Sequence, residues 1–226
     1  MNDALIDVSY LAGPRFGETP ALFEKIAQDI GEQGYSINPN ALPPELAQSL
    51  YQQLQQMPQA EFDSAGIGRQ VDHMLNSFVR TDEICWIDGS SETGARWLEW
   101  TSALRRFLNA RLLLGLFSFE SHYAHYAPGD FYKRHFDAFK GESNRVLSLV
   151  IYLNPGWLPD DSGELVIYRD ELDMEGTKVT PSFGTLVAFL SEEFPHEVLP
   201  AARDRYSIAG WYRLNTSHGQ KVDPPR

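Results

Sequence analysis

Residues 122–137 read HYAHYAPGDFYKRHFD: a strand, a turn at Pro128-Gly129, and a second strand ending on His135-Phe136-Asp137. Side chains alternate faces along a strand, so His135 and Asp137 are expected on one side and Phe136 on the other. An imidazole beside a carboxylate supplies two donors of a facial triad, the set that leaves positions on a non-haem Fe(II) open. The third donor has to come from a distant strand, and His196, in Phe194-Pro195-His196-Glu197-Val198, offers it. Zinc sites ordinarily use other donor sets, which favours iron.

Outward from this stretch the C-terminal half is β. Strands are expected over 116–126, 132–137, 145–153, 164–168, 177–179, 185–190, 196–199 and 206–214. Turn signals part them, among them Gly141, Asn154-Pro155-Gly156, Asp161-Ser162-Gly163, Gly184 and Pro195. Short strands at this spacing fit a double-sheet jelly roll of the cupin type. The N-terminal half is helical. Thr19-Pro20 starts a helix with Leu22, Ile26 and Ile30 as its stripe and Gly34 as its stop; Tyr35-Ser36-Ile37 is a short strand; Pro43-Pro44-Glu45 opens a second helix to about Met57 on Leu46, Leu50 and Leu54. A third runs over 92–114, with Trp97, Trp100, Leu104, Phe107, Leu108 and Leu112 at helical spacing. The fold class is therefore α+β: a double-stranded β-helix (jelly-roll) core with supporting N-terminal helices. One domain is expected over 1–226, with helical support to about 114, the core over about 115–214 and a frayed tail from 215.

Composition narrows the partners. The formal charge is −12 and no Lys/Arg run occurs, so no nucleic-acid partner is expected. Cys85 is the only cysteine, which excludes an intramolecular disulfide and a Cys-based zinc site; a packed small residue describes it better than a redox thiol. MNDALIDVSYLAG lacks the basic-then-apolar order of a secretory signal, and no apolar run is long enough to span a membrane. A cytoplasmic protein without a membrane partner is expected.

Two more residues belong to the expected site. On the last strand Arg205, Ser207, Ala209 and Trp211 share a face. A guanidinium pointing into a barrel needs an anion to offset desolvation, and a dicarboxylate would supply one through a bidentate pair. Tyr152, on a face with Val146, Ser148 and Val150, is a second donor. Arg203 is the competing arginine, placed in a turn. Residues 58–79 are polar and turn-rich, with a hairpin tip expected at Gly66-Ile67-Gly68 and a strand leaving it through Ile84 and Trp86. This finger, about 65–89, has the form of a substrate clamp.

These residues resemble the Fe(II)- and 2-oxoglutarate-dependent dioxygenases, and within them the oxygen-sensing hypoxia-inducible-factor prolyl hydroxylases and their bacterial relatives. The resemblance runs from about Gly34 to Trp211. Tyr126, Tyr132, His135 and Asp137 reproduce a Y…G…Y..H.D pattern. His196-Glu197-Val198 is followed nine residues later by Arg205, then Tyr206 and Trp211; collagen-type enzymes have Lys at the Arg205 place. Arg80-x-Asp82-x-Ile84-x-Trp86-Ile87-x-Gly89 is similar to the end of that group's mobile finger, and Arg145 to a basic residue beside its substrate. One departure is Ala209, where the oxygen-sensing enzymes carry a Thr that positions active-site water, so slow oxygen reactivity is not implied.

The resemblance implies that His135, Asp137 and His196 hold Fe(II). It implies that 2-oxoglutarate chelates the metal at its keto-acid end and pairs its far carboxylate with Arg205 and Tyr152. Tyr126 would donate near the chelating end, with Tyr132, Arg145, Trp211, Arg80 and Asp82 on the substrate side. O2 is the other co-substrate and ascorbate the reductant. The implied substrate is a proline in a protein such as elongation factor Tu, hydroxylated at C4. The alternatives are a non-catalytic iron/2-oxoglutarate sensor and a dioxygenase acting on free proline or a nucleobase, the last set against the acidic charge balance. A halogenase is excluded by Asp137, because a halide needs that coordination position. His122 and His125 have opposite parity, so at most one faces the metal, and neither is expected to bind it; His73 and His218 have no assigned role.

Overall fold

The computed structural model describes residues 20–64, 79–138 and 144–215. Three helices lead: α1 (Pro20–Gln33), α2 (Pro44–Gln56) and α3 (Glu92–Leu112). Short strands lie between them, β1 (Tyr35–Asn38), β2 (Asp63–Ser64) and β3 (Glu83–Trp86). The rest is β4 (Ser118–Tyr126), β5 (Tyr132–His135), β6 (Arg145–Tyr152), β7 (Leu165–Ile167), β8 (Thr177–Val179), β9 (Leu186–Leu190), β10 (His196–Val198) and β11 (Arg205–Arg213). A seven-stranded sheet has the order β1-β9-β6-β11-β4-β3-β2, and a four-stranded sheet the order β5-β10-β7-β8. Both are antiparallel throughout. This is the expected jelly roll, with the helices on one side of the larger sheet.

Strand alternation divides the larger sheet between two cores. Tyr123, Leu147, Leu149, Ile151, Ile208 and Tyr212 face the helices and pack with Phe23, Ile26, Leu50, Trp97 and Leu104. Their neighbours in sequence face the smaller sheet: Ala124, Tyr126, Tyr152, Val187 and Phe189 meet Leu165, Ile167 and Val198. Two polar ties fix α3 to the sheet, Trp97 Nε1 to Ser121 Oγ at 3.0 Å and Tyr212 Oη to the Thr101 carbonyl at 2.8 Å. Each fully buried apolar side chain in these layers contributes roughly 1.5–3 kcal/mol. Ser91 caps α3 by accepting the Gly94 N–H at 2.9 Å. Gly34 ends α1 at φ +81°, where an added Cβ would lie 2.7 Å from the Phe194 ring. The helix stop thus packs against the segment leading to His196.

One strand reading changes. The second strand within 122–137 ends at His135, not Asp137, and joins the smaller sheet while the first joins the larger. Besides a bridge from Tyr132 to Arg80 it pairs with the three-residue β10, where His196↔His135 is the last pair, so the chain is released before Asp137. Parity along one strand is therefore not what brings His135 and Asp137 together. The base of the finger is present as the pairs Asp63↔Ile84 and Ser64↔Glu83, while the tip expected at Gly66-Ile67-Gly68 lies outside the described residues, as do His73, Gly141 and His218.

Candidate active site

The smaller sheet contributes two imidazoles from neighbouring strands, paired in register at His196↔His135. Asp137, two residues past β5, turns its carboxylate to both. Oδ1 lies 3.7 Å from His135 Nε2 and Oδ2 lies 3.6 Å from His196 Nε2. The donor atoms of all three residues fall within 4.8 Å of one another. Each ring is oriented from behind by a carbonyl two residues earlier: His135 Nδ1 on Lys133 O at 2.7 Å, His196 Nδ1 on Phe194 O at 3.1 Å. A carbonyl only accepts, so Nδ1 carries the proton on both rings and each Nε2 presents a lone pair toward Asp137. Burial lowers the His196 pKa to about 4, which keeps the ring neutral at pH 7. Burial alone would raise the Asp137 pKa, but His196, His135 and Arg145 outweigh it and hold the carboxyl well below the usual range. Two imidazoles and one carboxylate, with both rings held from behind, suit a divalent metal of the Fe(II) kind.

The larger sheet supports this cluster through residues that strand patterning did not single out. Ser148, on the inner face of β6, donates to Asp137 Oδ2 at 2.6 Å. Its single proton is then spent, so the 2.9 Å contact between Ser148 Oγ and Ser191 Oγ is a bond that Ser191 donates. Both serines are buried. Arg145 lies between the carboxylate region and the wall: Nη2 donates to Glu120 Oε1 at 3.1 Å, Nη1 is 3.5 Å from the Asp137 carbonyl, and the guanidinium sits 3.6 Å over the Trp211 ring. Tyr132 stacks on His135 with centroids 3.5 Å apart, and Arg80 covers Tyr132 at 4.4 Å. Arg80 is itself clamped by Asp82, with Nε to Oδ1 at 2.7 Å and Nη2 to Oδ2 at 2.5 Å. Burial opposes the charge on Arg80, and the Asp82 carboxylate more than offsets it.

The second half of the site lies at the other end of the inner face. Arg205 is 1% exposed, and no carboxylate pairs with it among the described residues. Its Nε donates to Gly163 O at 2.8 Å, and its guanidinium lies 5.0 and 5.1 Å from the Tyr126 and Tyr152 ring centres. Gly163 can serve as that seat because it has φ +74° and no Cβ, which would lie 2.7 Å from the Ala201 Cβ and 3.3 Å from the Arg205 side chain. The Tyr152 hydroxyl is buried without a hydrogen-bond partner, and burial pushes its pKa up to about 12 against the pull of Arg205. Trp100 and Tyr123 also bury unpartnered polar atoms on the helix side, so such an atom alone marks no site. At Tyr152 it coincides with a buried cation lacking an anion, and a carboxylate would satisfy both groups. The donor set and this anion seat together fit Fe(II) and a dicarboxylate.

Three other features stay outside this constellation. Arg203, the competing arginine, is at the surface beside Asp161 and Trp157. His125 faces outward between Glu83 and Asp204 and stacks on Tyr206; His122 faces inward but is not in the metal-binding cluster. A cavity of about 500 Å³ lies toward α2, lined by residues such as Tyr51, Phe62, His125 and Tyr206, and contains none of the convergent groups. The site is accordingly placed by its chemistry and not by that cavity.

Known proteins agree with this geometry. Residues 121–213 match the model of the 2OG-Fe(II) oxygenase superfamily. Human Egl nine homolog 1 is 30% identical over 143 residues, covering 59% of this chain and 33% of that protein. Its rat counterpart is 35% identical over 85 residues. The chain thus spans a third or less of the length of these curated relatives. A Pseudomonas putida prolyl-4-hydroxylase structure superposes with a TM-score of 0.75 at 38% identity, over 85% of this chain and 98% of that one. A prolyl hydroxylase from Trichoplax adhaerens, solved with a hypoxia-inducible-factor degradation-domain peptide, gives a TM-score of 0.74 at 28% identity, over 85% and 89%. No helix among the described residues is long and apolar enough to cross a membrane.

Proposed function

The chain belongs to the 2OG-Fe(II) oxygenase superfamily, in its prolyl-hydroxylase branch, and from this premise we propose that it hydroxylates C4 of a proline within a protein substrate. The coupled change is oxidative decarboxylation of 2-oxoglutarate to succinate and CO2. The observation that carries the reading is the pairing, between the two sheets, of the His135–Asp137–His196 cluster with buried Arg205, which no carboxylate among the described residues meets. Bound Fe(II), with 2-oxoglutarate and O2, supplies the oxidising power that breaks a proline C–H bond. In this reading His135, Asp137 and His196 hold the metal, and the carbonyls of Lys133 and Phe194 fix the imidazole tautomers. Arg205 takes the far carboxylate of 2-oxoglutarate, with Tyr152 donating to it, and Tyr126, its ring beside the same guanidinium, donates near the chelating end. Trp211, Arg145, Tyr132, Arg80 and Asp82 line the substrate side. Ascorbate serves as the reductant that keeps the metal ferrous.

The finger expected from the sequence over about 65–89 favours a macromolecular substrate, since a free amino acid needs no clamp. The bacterial prolyl-4-hydroxylase likeness makes elongation factor Tu our first choice, in a cytoplasmic setting. The test is succinate formation by anaerobically purified protein given Fe(II), ascorbate and 2-oxoglutarate, with and without a cytosolic protein extract. Any protein gaining one oxygen on a proline is then mapped by mass spectrometry. Extract-stimulated succinate with hydroxyproline in one protein supports the proposal. Succinate without hydroxyproline moves the substrate elsewhere, and tight 2-oxoglutarate binding without turnover favours a sensor.

Ser148→Ala gives a check on the metal end. The substitution removes the proton that Asp137 Oδ2 accepts and leaves the ligands in place. Loss of such an outer partner typically weakens metal binding by about 10–100-fold. Anaerobic titration with Co(II) as a spectroscopic stand-in should show that drop at a near-normal melting temperature. Unchanged affinity would remove Ser148 from the metal support.

A further inference from the structure

His122 lies on the inner face of β4, in register with Trp86 of β3 on one side and Ala209 of β11 on the other. Its ring meets Trp86 edge-on at 5.2 Å and lies 5.5 Å from Trp211. The three rings form a strip that starts at Trp86, 55% exposed, and ends at buried Trp211 beneath Arg145. Arg145 in turn reaches the backbone of Asp137, so the strip leads from solvent to the metal-binding cluster. His122 itself is 3% exposed and makes one hydrogen bond, from Nδ1 to the Tyr123 carbonyl at 3.1 Å. Nε2 is then an acceptor, and no donor meets it among the described residues. The facing Ala209 methyl offers none. Burial, reinforced by Arg80, lowers the His122 pKa to about 4, so the ring is neutral at pH 7.

We infer that His122 is a specificity-determining residue, its Nε2 accepting a hydrogen bond from a backbone N–H of the substrate segment that carries the target proline. The inference rests on the protein-hydroxylase reading above. A proline has no N–H, so the donor is a residue flanking it, and one fixed acceptor on the wall sets which flanking amide docks there. A neutral amide suits the place better than a cationic side chain, because burial and the Arg80 guanidinium act against positive charge at His122 more strongly than Asp82 favours it. The flanking Trp rings give the same segment apolar contact.

The experiment uses the protein marked in the extract screen and a synthetic peptide spanning its proline. His122→Leu removes the acceptor, and His122→Gln restores an acceptor oxygen. Leu should raise KM for the substrate about tenfold, the size of one hydrogen bond, with kcat and the 2-oxoglutarate KM unchanged. Gln should recover most of that loss. Single N-methylations along the peptide should reveal one position whose penalty in wild type is absent in H122L, a coupling that a merely structural role would not produce. Equal substrate KM in wild type and H122L, or the same N-methylation penalties in both, would overturn the assignment while leaving the hydroxylase reading intact. A wild-type protein that hydroxylates no protein would overturn both.

Discussion

Asp137→Ala is expected to abolish turnover, a fall of at least about 10³-fold, because several kcal/mol of metal-borne stabilisation disappear with the ion. Asp137 is the only anion in the cluster and the residue both imidazoles face, at 3.6 and 3.7 Å. Without it the metal would have two neutral nitrogens and no charge to offset its own. The fold should survive, since His135 and His196 keep their carbonyl anchors when they lose the carboxylate, and Ser148 loses one hydrogen bond. Asp137→Asn separates charge from shape: its side-chain oxygen can still accept from Ser148, so a variant that folds normally and binds no metal would show that the charge is what matters. The readouts are succinate formation and anaerobic Co(II) titration. Wild-type succinate from D137A would sink the triad.

Much of this site is legible in the chain, though not always for the right reason. The two strands within 122–137 and the strand carrying His196 are readable because turn residues and alternation are local signals. His135 and Asp137 converge, yet strand parity does not unite them. β10 is three residues long, and how soon β5 loses its partner is a property of the sheet, invisible in β5 itself. The same limit hid Ser148, Ser191 and Gly163. A serine on an inward face reads as tolerated polarity until the sheet shows which carboxylate lies across from it. Gly163 reads as a turn residue, and its carbonyl becomes the seat of Arg205 only once residues 42 apart are neighbours. Arg205 was readable because alternation placed a guanidinium indoors, and desolvation then demands an explanation.

That demand gives the second large effect. Arg205→Met should raise the 2-oxoglutarate requirement by roughly 10²-fold or more, since removing one partner of a buried charge pair costs about 2–5 kcal/mol. Arg205→Lys should lie between: it keeps the charge but loses the planar fork and the Nε bond to Gly163. Without ligand the sign reverses. Arg205 is a buried cation with no carboxylate beside it among the described residues, so an apolar side chain of similar volume should leave the melting temperature of the ligand-free protein unchanged or higher. Adding 2-oxoglutarate should then raise that temperature in wild type and not in R205M, because a ligand stabilises only the state it binds. An unchanged 2-oxoglutarate requirement in R205M would put the anion site elsewhere. A ligand-free R205M that melts well below wild type would mean that the Gly163 bond and the Tyr126 and Tyr152 rings already satisfy the guanidinium, making Arg205 a structural residue first. The two measurements are independent. Only a loss of ligand response without a loss of ligand-free stability identifies a charge kept in the interior for a molecule that has yet to arrive.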